Sequence, residues 1–142
     1  MSIRDLEEQI VGEFMVFDDW MDKYNHIIEM GKDLPKIEDK FKIDNNLIPG
    51  CQSRVWLHAG FEEGKVFFYA DSDAVITKGI INLLIRVLSG QTPDEILDSK
   101  LEFIDRIGLK EHLSPTRSNG LTSMIKQMKL YALVIKTKNG EN

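Results

Sequence analysis

The single cysteine of this 142-residue chain, Cys51, is the side chain best suited to nucleophilic chemistry. It lies in NNLIPGCQSRVWL (residues 45–57), after Pro49 and Gly50 and before an apolar run. Proline stiffens the approach and glycine permits backbone angles that other residues avoid, so this loop can present a side chain at its tip. The alternative is a small core cysteine, although core cysteines lie more often inside a strand or helix than before one.

No general base accompanies Cys51 at a recognisable spacing. His58 follows it in a predicted strand, whose rise would put the imidazole about 20 Å away, and His26 and His112 lie elsewhere in the chain. Phosphate-loop, nucleophile-elbow, zinc-protease and calcium-loop motifs do not occur in the sequence. One cysteine and three dispersed histidines supply too few ligands for a metal ion. We therefore expect neither a metal site nor a self-sufficient cysteine hydrolase.

Two charged residues lie near predicted helix starts. Asp73, in ADSDAV, precedes an apolar helical run, where a carboxylate is favoured by the helix dipole, and capping is its simplest interpretation. Arg117 lies in the first turn of the last predicted helix, where a positive charge gains nothing from the dipole. This makes Arg117 a candidate for a contact elsewhere.

The composition, 42% apolar and 29% charged, indicates one globular domain over residues 1–142. Eighteen basic residues against 23 acidic ones give a net charge of −5, which argues against nucleic acid as a partner. A lone cysteine forms no internal disulfide, and the N-terminal MSIRDLEEQI is charged where a signal peptide is apolar. The longest apolar run, 74–89, is interrupted by Lys78 and Arg86. We expect a cytoplasmic protein with no membrane partner.

Hydrophobic periodicity predicts the elements that would position these residues. Helical spacing indicates two helices, over 3–14 and about 17–30, or one helix broken near residue 15. A period of two then predicts a β-hairpin with strands near 53–59 and 65–70. The polar stretch KDLPKIEDKFKIDNN, residues 32–46, is expected to be a surface connection into the cysteine loop.

The second half of the chain is predicted to be helical. Asp71 or Ser72 would cap the first of these helices. The expected helices are a central one with an apolar arc over 76–88, one begun by a Thr92–Glu95 capping box, one ending at Gly108 and one with an apolar stripe over 121–135. We expect a helix to half-cover the strand face that carries His58. Grouped rather than alternating elements predict an α+β fold, with a small antiparallel sheet packed against several helices.

Three sequence blocks, PGCQSRVWL, ADSDAVITKGIINLL and HLSPTRSNGL, resemble the SufE family of sulfur-acceptor proteins, whose relative CsdE shares the pattern. The resemblance covers about residues 40–130, and the three blocks occur in the family's order. It implies a SufE/IscU-like α+β domain that is not an enzyme. The implied role is accessory: the domain would accept sulfur for iron–sulfur cluster assembly and activate a cysteine desulfurase.

The resemblance also implies partners and residue roles. The desulfurase would be of the SufS or CsdA type, and its pyridoxal phosphate (PLP) stays with it, so this chain needs no cofactor. Cys51 would take persulfide sulfur and relay it to a downstream iron–sulfur scaffold. Gly50, Gln52, Asp73 and Arg117 would contact the partner. Because thiolate attack on a persulfide needs no base, Cys51 could be largely buried in the free protein, in a loop that moves to deliver it.

Two other functions stay open at this point. An IscU-like scaffold would itself assemble a cluster, and a thiol-independent binding module would use Cys51 only structurally. The single cysteine counts against the scaffold, because cluster ligation uses several thiolates.

Overall fold

The structure, a computed structural model, describes residues 1–139. Its α-helices and strands are α1 Ile3–Phe14, α2 Trp20–Met30, β1 Val55–Glu62, β2 Lys65–Ser72, α3 Val75–Leu88, α4 Pro93–Asp98, α5 Phe103–Arg106, α6 Leu109–His112 and α7 Pro115–Lys138. Short 3-10 helices form at Gly31–Asp33, Asp39–Phe41 and Asp44–Asn46. The strands form an antiparallel hairpin against which helices pack, so the α+β prediction is confirmed. Within the described residues, no helix is long and apolar enough to cross a lipid bilayer.

The hairpin is longer than its sequence pattern predicted. Its ladder runs from Val55 opposite Ser72 to Glu62 opposite Lys65. Glu63 (φ 52°) and Gly64 (φ 80°) form the turn, a left-handed pair that matches the twist of the flanking strands. One face of the hairpin packs on the core, and its buried residues are Val55, Leu57, Val66, Phe68 and Ala70.

Helix α3 is the central helix, as predicted, and most of its residues are buried. It crosses α2 so closely that a Cβ atom on Gly79 would lie 2.0 Å from the carbonyl oxygen of Ile27. Only a glycine fits at this crossing, because no other residue lacks a Cβ atom.

The predicted side-chain cap of α3 by Asp71 or Ser72 is wrong. Both residues belong to β2, and α3 begins after Ala74, whose own side chain caps none of the first-turn amides. The carboxylate of Asp71 instead lies 2.9 Å from Lys42 Nζ and 3.6 Å from Lys78 Nζ. The strand ladder extends further than periodicity indicated and includes both residues. Ser72 Oγ accepts a hydrogen bond from Ala74 N at 3.3 Å, one residue before the helix, and therefore does not cap the first-turn amides of α3. The Thr92–Glu95 capping box at α4 is confirmed.

The polar stretch 32–46 is more than a surface connection. Its Ile37 is buried, and the stretch pairs with the outer edge of β2 through Ile37 N to Ala70 O (3.3 Å) and Ala70 N to Pro35 O (3.0 Å). Phe41 stacks on His58, with ring centroids 3.7 Å apart. The cover of the His58 face therefore comes from a single 3-10 turn of this segment, Asp39–Phe41, and not from one of the α-helices.

Candidate functional site: the cysteine loop

The cysteine loop, residues 49–54, is tied down at both ends. At its start, Ile48 N donates to Val55 O at 2.8 Å. At its end, Arg54 N donates to the Asp73 carboxylate at 3.1 Å, and Asp73 N donates to Arg54 O at 3.3 Å. Residues 49–53 are thus a short loop between two fixed points, with Cys51 at its middle.

Gly50 lets the cysteine loop pack closely against helix α7. Its φ is +87°, and a Cβ atom there would lie 2.5 Å from Ser123 Oγ of α7. The left-handed backbone favours glycine, and a Cβ atom there would also force the Ser123 hydroxyl to rotate away. The structure therefore gives Gly50 a local role, and its contact with a partner stays a prediction.

The sulfur of Cys51 lies against the N-terminal turns of α7. Its Sγ is 3.7 Å from the carbonyl oxygen of Gly120, and the side chain is half-buried at the edge of the core. Burial raises the pKa of the thiol above its ordinary value, so the thiol form is favoured. Cys51 is accordingly neither a fully buried core residue nor an exposed, activated nucleophile.

A cavity of about 110 Å³ opens beside this sulfur. The loop, the start of α3 and the first turns of α7 supply its walls, which are Cys51, Gln52, Ser53, Ala74, Ile76, Thr77, Ile80, Thr116, Arg117, Gly120 and Met124. A water molecule takes up about 30 Å³ of the liquid. The cavity therefore has room for a further atom or small group next to Sγ.

Arg117 is brought to this cavity from a distant part of the sequence. Its guanidinium carbon lies 5.9 Å from the ring centroid of Tyr24 in α2, so the charge lies over an aromatic face. Gln52 is exposed at the loop and lines the same cavity, whereas Asp73 lies at the base of the loop and does not. The fold thus gathers Cys51, Gln52 and Arg117, with Asp73 and Gly50 holding the loop.

None of the three histidines lines the Cys51 cavity. His26 contacts Glu13 at 3.2 Å, His58 stacks on the segment before the loop, and His112 stacks on Trp20 with centroids 4.4 Å apart. Within residues 1–139, no three His, Cys, Asp or Glu side chains are close enough to hold a metal ion.

Sequence reasoning missed two residues of α7 that contact the cysteine loop: Gly120, whose carbonyl oxygen faces the sulfur, and Ser123, whose hydroxyl lies against Gly50. Gly120 lies inside a helix, where glycine is disfavoured, but a Cβ atom there would meet Cys51 Sγ at an ordinary contact distance of 3.6 Å, so this glycine was a weak signal. The helix begins at Pro115, and the turn-rich SPTRSNG forms its first turns.

Comparison with known proteins identifies the family. A family model described as "SufE: Fe-S metabolism associated domain" matches residues 8–132. The chain belongs to the SufE family. This confirms the resemblance carried by the three sequence blocks, and it associates the chain with iron–sulfur metabolism.

Relatives within the SufE family span most of the chain. An uncharacterized SufE-like protein of Rhizobium meliloti is 39% identical over 128 residues, which are 86% of this chain and 91% of that protein. SufE-like protein 1, chloroplastic/mitochondrial, of Arabidopsis thaliana is 40% identical over 136 residues, 95% of this chain but 37% of the plant protein.

A solved structure shares the SufE-family fold of this chain. The solution structure of a hypothetical protein from Thermus thermophilus superposes with a TM-score of 0.77 at 22% identity, covering 93% of this chain and 96% of that one. At this identity the likeness establishes the fold alone.

Proposed function

We propose that this SufE-family chain accepts sulfur from a PLP-dependent cysteine desulfurase of the SufS or CsdA type, stimulates that enzyme, and relays the sulfur to an iron–sulfur scaffold. The observation that carries the proposal is the position of Cys51, the chain's single thiol, at the tip of a short loop beside a small cavity. The chain would act as an accessory protein with no cofactor of its own.

The transfer step is a thiol–persulfide exchange. The Cys51 thiolate attacks the terminal sulfur of the desulfurase persulfide, a new S–S bond forms at Cys51, and the S–S bond to the desulfurase breaks. The desulfurase cysteine leaves as a thiolate, and Cys51 carries the persulfide. Atoms and electrons balance with no external oxidant or reductant, and no general base is needed on this chain.

The environment of Cys51 in the free protein supports a thiol of low reactivity that becomes reactive only on binding its partner. Burial disfavours the Cys51 thiolate, and the sulfur faces a carbonyl oxygen instead of a cation. Because the thiolate is the reactive form, activation would come when the loop leaves α7 and enters the desulfurase site. The contact of the sulfur with α7 is a weak S–H···O interaction at 3.7 Å, which opposes this movement little, whereas the hydrogen bonds between Arg54 and Asp73 hold the base of the loop.

The cavity suits the product as well as the thiol. Its volume of about 110 Å³ exceeds what one added sulfur atom needs, and Ile76, Ile80 and Met124 form apolar walls. A persulfide returned to this cavity would be partly shielded from water and oxidants. Gln52, Asp73 and Arg117 are exposed around the loop, where a docked desulfurase would contact them.

A sulfide-release assay tests the proposal. A cysteine desulfurase is given cysteine and reductant with the wild-type chain, with Cys51→Ser, or alone. We expect strong stimulation by the wild type and none by Cys51→Ser. Mass spectrometry of the wild type, incubated with desulfurase and cysteine without reductant, should show one added sulfur on the Cys51 peptide. Equal stimulation by both proteins would contradict the transfer role and favour a thiol-independent module.

A further inference from the structure

A second cavity, which we call the lysine cavity, lies between α7 and the segment from the end of α4 through α6. Its volume is about 480 Å³, within the range of small-ligand sites. Its lining is Ser99, Lys100, Leu101, Ile104, Asp105, Lys110, Thr122, Ile125, Lys126 and Lys129. Cys51 is not among these residues, so the cavity is distinct from the cysteine loop.

The lysine cavity concentrates positive charge in a chain of net charge −5. Four of its lining residues are lysines, and Asp105 is the one carboxylate among them. Lys100, Lys110 and Lys126 form no ion pair with any residue in 1–139. Gathered cations without carboxylate partners repel one another, so an anion bound between them would relieve that repulsion.

Ser99 adds an independent observation. Its hydroxyl oxygen is the one buried side-chain nitrogen or oxygen in the described part of the chain that has no hydrogen-bond partner. An unsatisfied buried polar atom is unfavourable and needs an explanation. Lys129 Nζ donates to the neighbouring backbone carbonyl of Ser99 at 2.5 Å, which draws the ammonium group to the same place. Ser99 itself lines the lysine cavity, and rotation about its Cα–Cβ bond changes the direction of the hydroxyl.

The backbone is strained at the same place. Leu101 has φ +52°, a left-handed conformation that is unfavourable for a branched side chain. The other non-glycine residue with positive φ in the described chain, Glu63, is explained by the hairpin turn. Strain, an unpartnered hydroxyl and unpaired lysines thus meet in one cavity, and such local exceptions cluster at functional sites.

We propose that the lysine cavity binds a small oxyanion of the phosphate class. Lysine ammonium groups recognise such ions as point charges, without the planar fork that arginine offers to carboxylates. Lys100, Lys110, Lys126 and Lys129 surround the anion, and the Ser99 hydroxyl donates to it after rotation. Ile104 and Ile125 leave an apolar wall for an organic group attached to the phosphate.

The probe is inorganic diphosphate, titrated into the isotopically labelled full chain at constant ionic strength, with amide chemical shifts as readout. We expect saturable shifts confined to 99–110 and 122–129. The double variant Lys110→Gln/Lys126→Gln should weaken binding about tenfold or more. The matched double variant Lys23→Gln/Lys138→Gln removes two lysines outside the cavity and should change affinity less than about twofold. Ser99→Ala, which removes the unpartnered hydroxyl, should keep the fold and weaken binding several-fold.

Several outcomes would overturn the proposal. If the two double variants weaken diphosphate binding equally, the anion is attracted by the general surface charge and not by the lysine cavity. Amide chemical-shift changes that lie outside the lysine cavity, or no changes with diphosphate, would show that the cavity does not bind this anion. A poly-glutamate peptide that binds there while diphosphate does not would show a surface for acidic protein segments instead. The Cys51→Ser result in the sulfide-release assay is independent of all of these, so each proposal can fail alone.

Discussion

Arg54 and Asp73 close the base of the cysteine loop by two hydrogen bonds that run in opposite directions. The amide of Arg54 donates to the Asp73 carboxylate at 3.1 Å, and the amide of Asp73 donates to the carbonyl of Arg54 at 3.3 Å. The pair joins the end of the loop to the segment that leads into α3. Asp73 therefore holds the loop that carries Cys51, although its carboxylate does not line the Cys51 cavity.

Removal of this carboxylate should free the loop. Asp73→Ala deletes one of the two hydrogen bonds, and we expect the local free energy of opening to fall by about 1 kcal/mol. The population of open loop, and with it the rate at which a thiol reagent labels Cys51, should rise about fivefold. Ellman's reagent in excess measures this rate.

The control for this prediction is Asp98→Ala, which removes a carboxylate from the exposed end of α4. Its labelling rate should equal that of the wild type, since Asp98 does not line the Cys51 cavity. Unchanged labelling in Asp73→Ala would show that the loop is held by its packing on α7 alone.

The raised pKa of Cys51 predicts two effects of pH. Burial favours the neutral thiol in the folded state, so the unfolded chain loses this proton first as pH rises, near the ordinary value of about 8.5. The stabilising contribution is fully present below that pH and is lost as pH rises through the folded pKa. The rate of alkylation by iodoacetamide should likewise inflect above the pKa of a free cysteine.

Cys51→Ser separates this effect from other titrations. Urea denaturation of both proteins between neutral and alkaline pH should show the wild type losing relative stability only in the alkaline range. Alkylation in denaturant should inflect at the ordinary thiol pKa. A folded-state inflection at or below that of free cysteine would mean that a nearby cation, such as Arg117, activates the thiol.

The crossing of α2 and α3 predicts opposite effects for two glycine substitutions. Gly79→Ala would place a Cβ atom 2.0 Å from the Ile27 carbonyl oxygen, which forces the helices apart and should lower the free energy of unfolding by about 3 kcal/mol or more. Gly12→Ala, in the exposed part of α1, meets nothing within 4 Å and should raise it by up to about 1 kcal/mol. Urea denaturation measures both, and similar effects at the two positions would contradict the close crossing.

Hydrophobic periodicity in the sequence predicted the helices and strands that bury one apolar face. It did not predict the segments whose position depends on contacts with distant parts of the chain. Helix α3 and the hairpin were recognisable because apolar residues recur with their periods. The polar stretch 32–46 has no such period, yet pairing of Pro35 and Ile37 with the exposed edge of β2 places it on the sheet. Side-chain polarity does not report backbone pairing, so sequence reasoning could not find this contact.

The candidate site also has a part that the sequence predicts and a part that depends on tertiary contacts. Cys51 and its glycine-bearing loop could be predicted from residue type and order. The contact of its sulfur with Gly120, and the approach of Arg117 to the same cavity, depend on how α7 crosses the loop. That crossing depends on how the core packs. The lysine cavity along α7 could not be predicted either, because the net charge of the whole chain is −5.

The carboxylate of Glu13 joins side chains from three helices, so the free energy of unfolding should fall at acidic pH. Glu13 of α1 accepts two hydrogen bonds from Arg86 of α3, at 2.9 and 2.5 Å, and contacts His26 of α2 at 3.2 Å. The hydrogen bonds from Arg86 are the main cause of a lowered pKa of Glu13. Its stabilising contribution is thus present above the unfolded pKa of about 4.3 and is lost as pH falls through the folded value.

Glu13→Gln should therefore lower the free energy of unfolding by about 1–2 kcal/mol at neutral pH, because half-buried Arg86 loses its counter-charge. The difference from the wild type should shrink as the pH is lowered past the folded pKa, where the wild-type carboxyl is also neutral. The matched control is Glu29→Gln, which breaks an exposed pair with Lys32 at 3.2 Å and should change stability by less than about 0.5 kcal/mol. Urea denaturation across the acidic range measures both. Equal losses at the two positions, or a gap for Glu13→Gln that persists at the lowest pH, would show that the charge of Glu13 does not join the three helices.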